Sequence, residues 1–289
     1  MSNYRGRFAP SPTGELHFGS LFAAVISYLD AKKHNGSWII RIEDIDPQRE
    51  VVGASKKIIE SLKYHGFIWD SEPVYQSDRT ALYEETLSVL ESQKSCYHCP
   101  CSRKQLINNS GKHTPECKIQ NTQKLACATK FNVTNNQYEW LDAFQGRVTQ
   151  ALKDDFVLKR KEGYFAYQLA VVCDDIDQKI THVVRGTDLL HSTPMQLALY
   201  HALNKAPPQF SHFPLILNDQ EQKLSKQNLA SSINNNHALS NILHIFDLLG
   251  LTLNGTPKSA NEALTLAIPS WDKQRLPKNN ITNHLTYNT

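Results

Sequence analysis

The chain has 289 residues, 40% hydrophobic and 20% charged, which excludes a disordered segment and fits one large or two modest domains around a buried core. Its formal net charge of +3 neither requires nor excludes a polyanionic partner. No run of about 18 apolar residues suggests a membrane span, and Met1-Ser2-Asn3-Tyr4-Arg5 lacks the apolar centre of a signal peptide, so a cytoplasmic protein is expected.

Near the N-terminus, Arg7-Phe8-Ala9-Pro10-Ser11-Pro12-Thr13-Gly14 is a stiffened Pro/Gly loop whose backbone can approach a ligand. His17-Phe18-Gly19-Ser20 follows at the start of a helix expected over 19–34, with Leu21, Phe22, Val25, Ile26 and Leu29 on one face. A helix start presents free N–H groups and a positive dipole end to phosphate, and His17 and Gly19 stand where a nucleotide would meet them. Taken alone, the motif reads equally well as a turn with an incidental histidine.

Residues 37–43, Ser-Trp-Ile-Ile-Arg-Ile-Glu, read as a strand ending in acids, and 51–65 and 78–94 read as helices. Strand and helix alternate, which predicts an α/β fold with a parallel sheet. From 94 to 165 the pattern degrades into an insertion with short strand-like pieces such as 156–160. Strand signals return at 168–172 and 180–184, followed by a helix over 188–203. Pro207-Pro208 breaks the chain before a strand at 213–217. A last helical region places Leu239, Ile242, Leu243, Phe246 and Leu249 on one face, and Ser259 with Glu262 fits a capping box.

Six cysteines fall at 96, 99, 101, 117, 127 and 173. Four of them crowd into 22 positions, which reads as a metal site in a reducing compartment. Cys99, Cys101, His113 and Cys117 form C-x-C-x11-H-x3-C, three thiolates and an imidazole suited to tetrahedral Zn²⁺. Cys96 and His98 are rival ligands, so spacing leaves the fourth position open. Cys127 and Cys173 are expected as buried apolar residues.

Late in the chain, Lys223-Leu224-Ser225-Lys226-Gln227 holds two lysines able to bracket a polyphosphate. With His17–Ser20 some two hundred residues upstream and Arg41-Ile42-Glu43-Asp44-Ile45-Asp46 between them, the order resembles the class I aminoacyl-tRNA synthetases. The glutamyl branch is the nearer likeness, through RFAPSPTGELHFGS, RIEDID, Trp69-Asp70, Tyr75-Gln76-Ser77-Asp78-Arg79 and Val184-Arg185-Gly186. Ser20 replaces the second histidine of the first signature, as is usual in that branch. Gln227 replaces the closing serine of the second, while Lys226 is retained.

The resemblance implies a Rossmann-like catalytic domain in two halves, 1–93 and 166–228, split by the insertion 94–165 with its zinc site and followed by a small helical region, 229–289. It implies that Arg7 and Arg185 hold carboxylates of L-glutamate and that Glu43 faces its ammonium, with Ser11, the Ala9 backbone and the Tyr167 hydroxyl completing the pocket. His17 and Lys226 would be catalytic, and His17, Gly19, Lys223 and Lys226 would bind ATP with its Mg²⁺. Only 63 residues follow Lys226, where full glutamyl-tRNA synthetases continue into a large anticodon-binding region. That length and the cysteine spacing resemble the glutamyl-queuosine tRNA(Asp) synthetase subgroup, in which His113 takes the place of a tyrosine ligand and the zinc is structural. The implied acceptor is queuosine in the anticodon stem-loop of tRNA(Asp), served by a monomer without tRNA-dependent activation. Arg103, Lys104, Lys159, Arg160 and Lys161 are candidate phosphate contacts. An ordinary glutamyl-tRNA synthetase and a catalytically silent RNA-binding paralogue are the competing expectations.

Overall fold

The computed structural model describes residues 3–101, 104–105, 127–217, 220, 232–277 and 279–282. Strand β1 (Arg5–Phe8) pairs in parallel with β2 (Ser37–Ile42), which pairs in parallel with β3 (Val74–Tyr75). On the other side of β1 lie β9 (His182–Gly186) and β10 (Gln209–Phe213), themselves a parallel pair. The Thr181 N–H donates to Arg5 O, joining the two ladders. The chain therefore runs outward from β1 in one direction, then returns to build outward in the other. Such a reversal opens a crevice at the carboxyl ends of the strands.

Helix α1 (Phe18–Lys33) connects β1 to β2 and is buried on nearly every side. It packs between the sheet and the C-terminal helices α6 (Ala238–Leu248) and α7 (Ala260–Ala267), sharing a core with Ile242, Phe246 and Leu264. Burial of one Leu or Phe contributes about 1.5–3 kcal/mol, so this helix anchors the first half of the molecule. Leu239 and Leu243 complete the expected α6 face, half-buried. At α7 the Ser259 hydroxyl accepts from Glu262 N–H, while Glu262 accepts from Lys258 N–H one residue before the cap.

Helices α2 (Ala54–Tyr64) and α3 (Thr80–Ser92) stand close to where 51–65 and 78–94 place them. Residues 168–172 are a correction: they lie in helix α4 (Tyr167–Asp177), not a strand. Leu169, Ala170, Val171, Val172 and Cys173 are all buried because elements pack on several sides of this helix. A continuously apolar run carries no period by which helix and strand differ. The helix expected at 188–203 opens as a 3-10 segment, Thr187–Ser192, and becomes α5 at Thr193–Ala202, with Pro194 in its first turn. The strand expected at 213–217 is two: β10 ends at Phe213 and β11 is Ile216–Leu217, which pairs with β12 (Ile281–Thr282).

The segment after α3 changes character. Strands β4 (Cys96–Cys99), β5 (Ala128–Phe131) and β8 (Phe156–Lys159) form an antiparallel sheet, and β6 (Gln137–Asp142) with β7 (Gly146–Ala151) forms a hairpin. The turn of that hairpin leans on the parallel sheet, where Ala143 N–H donates to Phe210 O. Cys173 is buried as expected, whereas Cys127 is only half-buried. Among the described residues no helix is long and apolar enough to cross a membrane.

Candidate active site

A cleft of about 670 Å³ opens at the carboxyl ends of β1 and β9. It gathers Arg7, Ala9, Ser11, His17, Gly19, Glu43, Tyr167 and Arg185, that is, every expected glutamate or nucleotide residue within the described part. Arg7 comes from β1, Glu43 follows the last residue of β2, Arg185 is on β9 and Tyr167 starts α4. Three adjacent parallel strands thus deliver their charged ends to one point, which no single stretch of sequence contains. Gln168, Asp188 and His191 also line the cleft and carried no motif.

His17 is the N-cap of α1. Its Nδ1 accepts from Ser20 N–H at 3.2 Å, and its Nε2 lies 2.9 Å from Ser20 Oγ. Ser20, standing where the general signature has histidine, therefore holds the imidazole at the helix start. Lys223 and Lys226 lie outside the described residues. The chain resumes at Ser232, which bridges to His17, and Ile233 N–H donates to Leu16 O. The segment following the second signature is thus fastened beside the first.

The floor of the cleft is a buried charge network. Asp175 accepts from Arg7 Nε at 3.1 Å and from Arg41 Nη1 at 2.7 Å. Asp174 accepts from Arg79 Nε at 2.6 Å, Gln76 Nε2 at 2.7 Å and the Tyr83 hydroxyl at 2.9 Å. Glu43 Oε1 stands 3.5 Å from Arg41 Nη2. Burial alone would raise the Asp175 carboxyl, but Arg41 and Arg7 outweigh it and hold it below the usual range. At Glu43 burial wins over Arg41 and Arg7 and pushes the carboxyl up to about 7. Charges taken out of water are costly unless paired, and Glu43 is the member whose pairing is poorest.

Arg185 differs from its neighbours. It is 5% exposed, and its donors go to neutral groups: Nε to His212 Nε2 at 2.9 Å, Nη1 to Gln196 Oε1 at 2.9 Å and Nη2 to Thr193 Oγ1 at 2.8 Å. Its guanidinium carbon lies 5.1 Å from the centre of the Phe210 ring. Among the described residues no carboxylate forms an ion pair with Arg185. Burial lowers its pKa, yet arginine stays protonated. A buried cation with neutral partners facing a cleft is chemically suited to receive an anion. Tyr167 stands beside it, half-buried, its hydroxyl pKa raised by burial.

Of the expected zinc ligands, Cys99 ends β4 and Cys101 lies two residues on, while His113 and Cys117 lie outside the described residues. Strand alternation separates the rivals: Cys96 and His98 point to the face of β4 opposite Cys99. Cys96 packs against a core cluster that includes Leu87 and Leu90 of α3, and His98 Nε2 lies 3.4 Å from Glu91 of the same helix. No cluster of three metal-binding side chains is assembled among the described residues. The basic candidates divide. Lys159 is paired with Glu84 and covers the Phe165 ring, Arg160 lies 3.5 Å from Asp46, and Lys104 and Lys161 are exposed. Arg103 lies outside the described residues.

Residues 3–268 match the family "tRNA synthetases class I (E and Q), catalytic domain". The chain is 42% identical over 282 residues to the glutamyl-Q tRNA(Asp) synthetase of Vibrio parahaemolyticus, covering 96% of this chain and 95% of that protein. It is 44% identical over 282 residues to the Idiomarina loihiensis protein of the same name, covering 94% and 98%. Among solved structures, a glutamate tRNA ligase from Elizabethkingia meningosepticum in complex with its amino acid superposes with a TM-score of 0.81 at 25% identity, covering 97% of this chain and 67% of that one.

Proposed function

This chain belongs to the class I tRNA synthetases for glutamate and glutamine and, within them, to the glutamyl-Q tRNA(Asp) synthetases, and we infer from that membership how its cleft is used. It is a ligase that activates L-glutamate with ATP and passes the glutamyl group to queuosine in tRNA(Asp). The observation that carries this reading is the 42–44% identity to relatives of that name across nearly their whole length.

Glutamate brings two carboxylates and an ammonium. Arg185 takes one carboxylate, supported by its burial without an ion-pair partner among the described residues. Arg7 takes the other while Asp175 steadies it, and Glu43 in its ionised form receives the ammonium. Ser11, the Ala9 backbone and the Tyr167 hydroxyl close the pocket. An oxygen of the α-carboxylate then attacks the α-phosphorus of ATP in line, and pyrophosphate leaves. Positioning and charge stabilisation carry this step, without a protein nucleophile. His17, Gly19 and the α1 N-terminus serve the phosphates with Lys223 and Lys226, and a Mg²⁺ brought with ATP would add positive charge to offset the negative charge of the phosphates.

Glutamyl-adenylate next meets a queuosine hydroxyl, the acyl bond transfers and AMP departs. The acceptor is the modified wobble base of the anticodon stem-loop, since sequence-specific RNA recognition favours unstacked loop bases that fit a pocket. Lys104, Arg160 and Lys161 are the exposed cations suited to its phosphates. Zinc suits the thiol donors Cys99 and Cys101, and with His113 and Cys117 it would close a structural site outside the reaction.

Nucleoside mass spectrometry tests the acceptor. After incubation with glutamate and ATP, tRNA(Asp) carrying queuosine yields glutamyl-queuosine, and the unmodified tRNA yields none. Equal labelling of both, or label on the terminal adenosine, overturns the reading.

A further inference from the structure

The insertion reaches into the glutamate pocket through a buried chain of three residues. Asp142 ends β6. Its Oδ1 accepts from the backbone N–H groups of Phe144, Gln145 and His212, each at 3.0–3.1 Å. Its Oδ2 lies 2.5 Å from His212 Nδ1. His212 in turn receives the Arg185 Nε–H on its Nε2 at 2.9 Å, and Thr193 Oγ1 lies 3.2 Å from the same nitrogen. His212 and Thr193 are wholly buried, and Asp142 is 1% exposed.

The hydrogens settle the tautomer. Guanidinium nitrogens only donate, so His212 Nε2 must accept and carries no hydrogen. The single imidazole hydrogen is then on Nδ1, and Asp142 Oδ2 accepts it. Burial lowers the His212 pKa in the same sense, keeping the ring neutral. Three of the five N–H donors of Arg185 are thereby spent on orientation, and the rest remain for a carboxylate.

We propose that Asp142 and His212 are positioning residues for glutamate: Asp142 selects the Nδ1–H tautomer of His212, and that ring aims Arg185 at the substrate carboxylate. This rests on the reading that Arg185 binds that carboxylate. A purely electrostatic role for Asp142 would act in the opposite direction, because removing its charge would make the pocket more attractive to an anion.

Asp142→Asn separates the two. The asparagine keeps Oδ1 for the three backbone donors but turns an amide N–H toward His212 Nδ1. The ring is driven to the Nε2–H tautomer, which opposes Arg185 donor against donor. An Asp–His pair altered this way elsewhere keeps its geometry and loses its tautomer. In glutamate-dependent ATP–pyrophosphate exchange by the full chain, D142N raises KM for glutamate about tenfold. KM for ATP stays unchanged. An unchanged or lowered KM for glutamate overturns the proposal. Independently of D142N, His212→Phe gives a similar rise, and His212→Gln, whose amide oxygen can accept from Arg185, restores affinity to within about threefold. If H212Q is as impaired as H212F, the acceptor at this position is irrelevant and the proposal fails. Arg185→Lys is the control for the underlying reading. A normal KM for glutamate in R185K removes Arg185 from the carboxylate, whereas a raised KM in R185K with a normal one in D142N removes only the relay.

Discussion

Asp175 on α4 grips Arg7 on β1 across 168 positions of sequence, its Oδ1 3.1 Å from Nε, while the same oxygen takes Arg41 Nη1 at 2.7 Å. One carboxylate therefore ties helix α4 to strands β1 and β2 and orients a guanidinium at the floor of the cleft. Asp175→Asn leaves two buried arginines short of negative charge. Breaking a buried pair from one side costs about 3–5 kcal/mol, so a clear fall in Tm accompanies a higher KM for glutamate. A variant with unchanged melting and unchanged KM would show that Asp175 does neither job.

Glu43 predicts a pH effect with a definite sign. Burial lifts its pKa from 4.5 to about 7, so the folded chain holds this proton across a window where the unfolded chain has released it. Stability linked to Glu43 is full below pH 4.5 and is lost as pH rises through about 7. Glu43→Gln removes that loss, so its Tm relative to the parent rises by a few degrees at pH 8 and not at pH 4.5. Ammonium binding needs the ionised form, so the parent also shows glutamate affinity rising through about pH 7. The variant binds glutamate weakly at every pH. A Tm difference that does not change with pH would remove Glu43 as the titrating group.

His17 has two separable tasks. It caps α1 by accepting from Ser20 N–H, and it is proposed to meet a phosphate. His17→Ala loses both, with about 1 kcal/mol of stability from the cap. His17→Asn keeps a good cap, so a slow exchange rate at normal Tm isolates the phosphate role. Lys226→Ala lowers exchange by roughly 10²-fold or more, on the scale of one lost electrostatic stabiliser. Full activity in both K226A and H17N would place ATP elsewhere.

Metal content distinguishes the cysteines. Elemental analysis should find one zinc per chain, lost in Cys117→Ser and kept in Cys96→Ser. The second half of that expectation gains support from β4, which turns Cys96 and His98 to the face opposite Cys99 and brings His98 to Glu91. Loss of zinc in Cys96→Ser would reverse the ligand assignment.

The fold was readable where the length of an apolar stretch or a cluster of β-formers marks an element, even when that element is largely buried. Residues 19–34 and 37–43 match α1 and β2 to within a residue because apolar positions or β-formers mark them plainly. The run at 168–172 was not readable, since full burial erases the period that separates helix from strand. A usable sign stood beside it. Asp174 and Asp175 at the end of an apolar run must find partners if the run is buried, and they found Arg7, Arg41 and Arg79.

Sequence alone determined which chemical groups the protein owns and the order in which they are strung. The loop before α1, Glu43 after its strand, Arg185 and the late lysines are each local, and a motif needs only neighbours along the chain. Tertiary structure decided which charge faces which. Arg7, Arg41 and Arg185 are alike as residues, but Arg7 and Arg41 were given Asp175 and Arg185 was given His212 and two neutral side chains. In a buried site the cost of an unpaired charge depends on whatever packs within a few ångströms. Here those neighbours come from α4, from β10 and, through Asp142, from a hairpin 70 residues away in sequence.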